Sequence, residues 1–332
     1  MIELRDNELR IRFPDVHDEA RMSIHFQRTL RIPDDEKDYP LPAGLGLFPL
    51  RHVDDFASKV PERWIEHGGV ILPMYQSEAL WINFSGGYPF AVKIAAGKID
   101  AVTGKTWSNS LHRHPQDYVA IPEQPWLDGY CVEKGVIRQF VAMPLGSGYS
   151  AEEQLTGEAE HGGLQIVVYP LKREVYEKWV SKPAAYAFDE CAPLMASRSL
   201  GMAEMGLAPG GRMRQEIYDD SFKLADWDQD HAARCFVHIA NSQVWRAITG
   251  EEPPTVPLTA REYKSHGIPW FDYYSDRPAV EGSSVLDRLK SIAQFGKEKH
   301  DVPLPDNESI EVDRVVVLRQ GLKEGQVREG QF

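Results

Sequence analysis

The tetrapeptide Pro-Trp-x-Asp occurs twice, as Pro125-Trp-Leu-Asp128 and Pro269-Trp-Phe-Asp272, and each copy sets an indole beside a carboxylate. Such a pair suits a flat polar ligand such as a sugar ring, with the indole stacking and the carboxylate serving as acid or base. Asp128 and Asp272 are therefore the candidate catalytic residues, facing one another in a metal-independent, hydrolase-like site. Trp126, Trp270, Tyr130 and Tyr273 are the candidate ligand-binding residues. The same tetrapeptide also suits a folding element, in which proline opens a turn, tryptophan plugs the core and aspartate bonds nearby backbone amides. The structural reading stands ahead, because a duplicated turn persists as readily as a duplicated site.

His112-Arg-His114 has the spacing that aims two imidazoles from one face of a strand, which is half a metal site. No third ligand is identifiable and Pro115 follows at once, so neither a metal nor a cofactor is expected. Glu66-His-Gly-Gly69 and Glu160-His-Gly-Gly163 are identical tetrapeptides ahead of apolar strands. They fit helix ends, with histidine at the negative terminus and glycine as the left-handed cap, better than acid–base pairs. Gly104-Lys105-Thr106 lacks the earlier glycine of a phosphate loop, with Ile99 in its place. Asp226-Trp-Asp-Gln-Asp230 starts like a calcium loop, but His231 and Val237 occupy its glycine and glutamate positions. No G-x-S-x-G is present. Cys131, Cys191 and Cys235 lie far apart without a C-x-x-C, and only Cys131, near the first Trp/Asp segment, invites attention as a nucleophile.

The elements that must position these residues are mostly strands. Met22 to Ile32 alternates apolar and polar residues with one break at Arg28, and with Leu9, Ile11 and Phe13 it reads as a hairpin over 8–32. Further strands are expected at Val70–Met74, Ala79–Phe84, Phe90–Ala95, Tyr118–Ile121, Val136–Met143, Leu164–Tyr169, Cys235–Ala240, Val244–Ile248 and Ile310–Leu318. Ser150-Ala-Glu-Glu153 and Thr259-Ala-Arg-Glu262 are capping boxes that open helices ending before Gly162 and at Gly267. Leu171, Val175 and Trp179 mark a third helix, and Val285, Leu289 and Ile292 a fourth that stops at Gly296.

Self-similarity organises the chain. Val92 to Gly104 and Val237 to Gly250 both begin V-x-I-A and close on A-[VI]-T-G, and each precedes a tyrosine and a Pro-Trp-x-Asp. The fold class expected is α+β and β-rich, two duplicated units in a pseudo-twofold arrangement with a few short helices. The divisions are an N-terminal arm over 1–19, a first half over 20–162 holding repeat unit 1 (about 20–130), repeat unit 2 over 163–275, and a C-terminal helix, strand and polar tail over 276–332. Residues 183–210 read as the connector.

Composition bounds the function. Acids outnumber bases 50 to 37 for a net charge of −13, which excludes general nucleic-acid binding. No apolar run approaches the ~18 residues of a bilayer span. The first ten residues carry charges throughout, so no secretory signal is expected and the chain reads as cytoplasmic. With no catalytic motif and eight tryptophans, the leading expectation is a non-catalytic binding or assembly protein that self-associates or takes a protein partner. The hydrolase-like enzyme above is the alternative.

Overall fold

Strands outweigh helices, 38% against 18%, and among the described residues they form three sheets. The computed structural model describes residues 1–181, 204–253, 256–274, 277–304 and 307–319. The main path of a ten-stranded sheet runs Ile2–Arg5, Glu8–Arg12, Arg21–Thr29, Ala79–Ser85, Val136–Pro144, Met205–Arg214, Asp38–Tyr39. A seven-stranded sheet runs Ile99–Asp100, Phe90–Ala96, Leu164–Pro170, Ala233–Asn241, Val70–Met74, Arg51–His52, with Val119–Ile121 also paired to Phe90–Ala96. In the third, Trp270–Tyr274 lies between Val315–Arg319 and Leu41–Pro42.

Both large sheets feed one hydrophobic core: Ile24, Phe26, Phe84 and Phe140 from the first meet Val92, Ile94, Val168 and Ile239 from the second. A second cluster joins Ile71 and Ala240 of the seven-stranded sheet to Trp64, Trp245 and Ile248 of the short helices Glu62–His67 and Ser242–Thr249. A third gathers Tyr39, Leu41, Tyr263 and Trp270 around the small sheet. The break in alternation at Arg28 has a cause. Arg28 shares the face of Phe26 and Leu30, and its Nε donates to the buried Glu78 carboxylate at 2.6 Å. Burial raises the Glu78 pKa and the guanidinium opposes the rise, so each partner makes the other's burial tolerable.

The fold is mixed α and β and strand-rich, as expected, but the two proposed units do not emerge as matching structures. Both V-x-I-A segments lie in the same sheet, separated only by Leu164–Pro170. Phe90–Ala96 turns at Gly97 straight into Ile99–Asp100, whereas Ala233–Asn241 runs into the helix Ser242–Thr249. Val244–Ile248, expected as a strand, is therefore helix. Asn241 Oδ1 accepts from the Gln243 and Val244 amides, Trp245 and Ile248 are buried on one side, and Gly250 closes the helix with φ 76°.

Other expectations shift less. Both capping boxes form, at Ser150 and Thr259, though the first helix ends at Gly157 rather than near Gly162. Glu160-His-Gly-Gly163 consequently sits in a loop, not at a helix end. The helix expected through Val285, Leu289 and Ile292 is split into Ser284–Asp287 and Ile292–Lys299, because Ser291 caps the second piece. Gly296 lies inside that piece, where a Cβ would come within 3.0 Å of the Tyr149 hydroxyl. The connector expected over 183–210 falls largely outside the described residues, and its end belongs to the strand Met205–Arg214. Cys191 and the tail after Gly321 also fall outside them. No helix of the described residues is long and apolar enough to cross a membrane.

Candidate functional site

The two Pro-Trp-x-Asp segments meet at the seam between the largest and smallest sheets. Trp126–Leu127 pairs with Ala79–Ser85, and the Pro125 carbonyl accepts from the Phe84 amide at 2.9 Å. The Trp126 ring stands edge-on to Tyr273 at 4.9 Å and to Trp81 at 6.2 Å. All three rings are half-buried. Leu318, 38% exposed, is in register with Tyr273 and extends this row onto the strand Val315–Arg319.

The other predicted ligand-binding rings lie inside. Trp270 is 3% exposed and packs on Tyr39 and Tyr263. Tyr130 is fully buried, edge-on to Phe140, with its hydroxyl donating to the Leu207 carbonyl at 2.9 Å.

The two aspartates are held by consecutive residues that the sequence reading did not single out. Gln215 accepts from the Asp128 amide at 3.0 Å and donates from Nε2 to Asp128 Oδ2 at 2.6 Å. Arg214 grips Asp272 through Nη2 at 2.8 and 3.0 Å. Burial pushes the Asp128 carboxyl up to about 7, opposed by the Gln215 bond, while Asp272 faces solvent in its ion pair. An acid facing a base across an open cleft is not the arrangement found: one carboxylate is 4% exposed and bound to an amide, the other neutralised by a guanidinium.

His112 enters a different constellation, built on a lysine that sequence reasoning passed over. Lys93 is the lone charge in the buried strand Phe90–Ala96 and is itself 1% exposed. Its Nζ donates to Asp117 Oδ2 at 2.6 Å, Ser108 Oγ at 3.0 Å and the Ser110 carbonyl at 2.9 Å. Asp117 Oδ2 also lies 2.8 Å from His112 Nδ1, and its Oδ1 accepts the His112 amide at 2.8 Å. A continuous chain Ser108–Lys93–Asp117–His112 results, with half-buried Ser108 at one end and the His112 side chain, 55% exposed, at the other. Asp100 lies close by, its Oδ1 bonded to the Thr103 amide and hydroxyl and its carboxyl raised to about 7 by burial.

The same loop fixes Arg113, which bonds Gln116, Asp219 and the Asp220 carbonyl, while His114 stays exposed. Nδ1 of His112 is bonded to Asp117 and its Nε2 is left to solvent, with the tied Arg113 between the two histidines. Among the described residues, no group of three or more His, Cys, Asp or Glu side chains is placed to hold a metal ion. Cys131 is 1% exposed, and burial together with Asp100 pushes its thiol up to about 12, which removes it as a nucleophile. Asp228 folds its acidic turn by accepting from the Asp230 and His231 amides. One shallow surface recess of about 250 Å³ lies between Gln154, Leu289 and Phe295 and is remote in sequence from both constellations.

No protein-family model, no curated protein and no solved structure matches this chain.

Proposed function

We propose that this chain is a cytoplasmic binding or assembly protein that engages a second copy of itself through the row Trp81, Trp126, Tyr273 and Leu318. The observation that carries the reading is the convergence of the two Pro-Trp-x-Asp segments, which sets Trp126 against Tyr273 with both residues partly exposed. Aromatic rings that keep one face accessible while the rest is fixed by packing are the side chains interfaces favour. Two further facts support it: the space between the large sheets is filled by side chains, and both repeated carboxylates are bound within the protein. Cys131 and Cys235 are free and buried, as suits a reducing compartment. The test is light scattering of the purified chain over a dilution series, beside Trp126→Ala. A mass above 37.6 kDa that the variant returns to the monomer supports assembly through this row. A monomer at every concentration, unchanged by the variant, counts against it.

A second reading is favoured by the Ser108–Lys93–Asp117–His112 chain. A buried carboxylate on one imidazole nitrogen, with the other left to solvent, is the geometry of an oriented general base. In a metal-independent hydrolysis, His112 Nε2 would take the proton of a water attacking an ester carbonyl, and the alkoxide or phenolate would leave. With p-nitrophenyl acetate as probe, His112→Gln should lower the rate at least about tenfold and His114→Gln should leave it unchanged. Equal losses in the two would reduce His112 to an ordinary surface imidazole.

A further inference from the structure

Two identical tetrapeptides far apart in sequence are delivered to one strand. Gly69 and Gly163 lead into Val70–Met74 and Leu164–Pro170, which flank Ala233–Asn241 on its two sides. Both glycines have positive φ, 87° and 46°, and both lie against that strand's backbone. A Cβ would come within 2.1 Å of the Phe236 carbonyl at Gly69 and within 2.4 Å of the Val237 carbonyl at Gly163. The glycines therefore dock the two Glu-His-Gly-Gly segments against the central strand, and the preceding histidines converge over it.

His67 stacks on Phe236 with ring centroids 4.4 Å apart and planes 10° apart, lies 5.3 Å from His161, and is 6.3 Å from His238. Trp64 closes the stack on His238 at 4.7 Å. His238 is 4% exposed, and its Nε2 lies 3.0 Å from the Gly68 carbonyl, so that nitrogen carries the proton and donates. His161 Nδ1 is buried with no partner among the described residues.

The charged groups around the cluster are already engaged. Arg63, on the same helix as Trp64 and His67, pairs with Glu204. Lys98, from the turn after Phe90–Ala96, pairs with Glu158 and Glu160. Glu152, from the helix Ala151–Thr156, accepts from the His161 and Gly162 amides. Glu160 Oε1 lies 3.7 Å from His161 Nε2, at ion-pair rather than hydrogen-bond distance, and is the carboxylate there that favours a proton on His161; it is shared with Lys98. A second proton on His161 or His238 is opposed by burial and by Arg63 and the neighbouring imidazoles, and at His161 also by Lys98. Burial, first, and these neighbours lower the pKa of His161 and bring that of His238 down to about 4.

We propose that His161 and His238, both beside the His67 ring, form an acid-operated latch: while neutral they hold the helix Glu62–His67 and the Glu160–Gly163 loop on Ala233–Asn241, and once protonated they repel their surroundings and release both. The sign follows from linkage. The closed state binds fewer protons than the open one, so closure is fully stable above the ordinary histidine range near 6.5 and weakens as pH falls toward about 4.

Hydrogen exchange of the full chain at pH 7.5 and at pH 5, corrected for intrinsic rates, tests it. Protection over residues 62–70, 161–165 and 236–239 should fall by roughly tenfold per pH unit below 6.5, while Val136–Pro144 stays protected. His238→Gln keeps a donor for the Gly68 carbonyl and does not titrate, and His161→Gln is the second variant should the first fold poorly; each should blunt the acid response. Equal protection of the wild-type segments at both pH values, or an undiminished acid response in both variants, would overturn the latch.

Discussion

At the scale of single residues, burial decides what each polar group can do. Asp128 and Asp272 share a sequence context, yet one is enclosed with an amide and the other is gripped by a guanidinium at the surface. A carboxyl raised to about 7 in the fold and near 3.9 when unfolded is stabilising when neutral: its contribution is full below the unfolded value and is lost as pH rises through about 7. Asp128→Asn should therefore leave the fold intact and gain stability relative to the parent as pH rises from 4 to 8. Paired urea titrations at the two pH values check this, and a variant that loses ground with rising pH would show that the charged form is the one the site favours. Pro-Trp-x-Asp and its two readings were visible in the sequence. The aspartates' partners were not, because Arg214 and Gln215 arrive from a strand distant in the chain. Lys93 was visible too, as the one charge in Phe90–Ala96, but its meaning depends on Asp117 and Ser108 folding over it from the following loop.

At the scale of elements, local signals succeeded where a side chain satisfies its own neighbours. The Ser150 and Thr259 capping boxes specify helix starts because all the groups concerned lie within one turn. Val244–Ile248 defeated periodicity, since a short apolar run fits strand and helix alike and the cap at Asn241 decides. Asn241→Ala should cost about 1 kcal/mol, read as a lower denaturation midpoint at unchanged slope. An unchanged midpoint would transfer the decision to the burial of Trp245 and Ile248. The two V-x-I-A stretches occupy the same sheet and then leave it differently, one turning back as a strand and the other entering a helix.

At the scale of the whole molecule, the two large sheets share one hydrophobic core and the small sheet packs on a separate cluster. The strand-rich fold was legible because alternation is a local property. The sheet order was not, because it depends on pairings such as Val237 with Val70 and with Leu164 that only the assembled chain defines. The aromatic row at a sheet seam and the oriented His112 are partly open to solvent, whereas His238 in the histidine stack on the seven-stranded sheet is buried. The central claim is that the row is an interface. It is tested most directly by fluorotryptophan-labelled full-length chain, with the Trp126 resonance assigned through Trp126→Phe and followed by ¹⁹F NMR on dilution. The account predicts a Trp126 signal that shifts or broadens with concentration, while that of buried Trp227 does not. A sharp Trp126 signal at one position throughout would contradict assembly through this row.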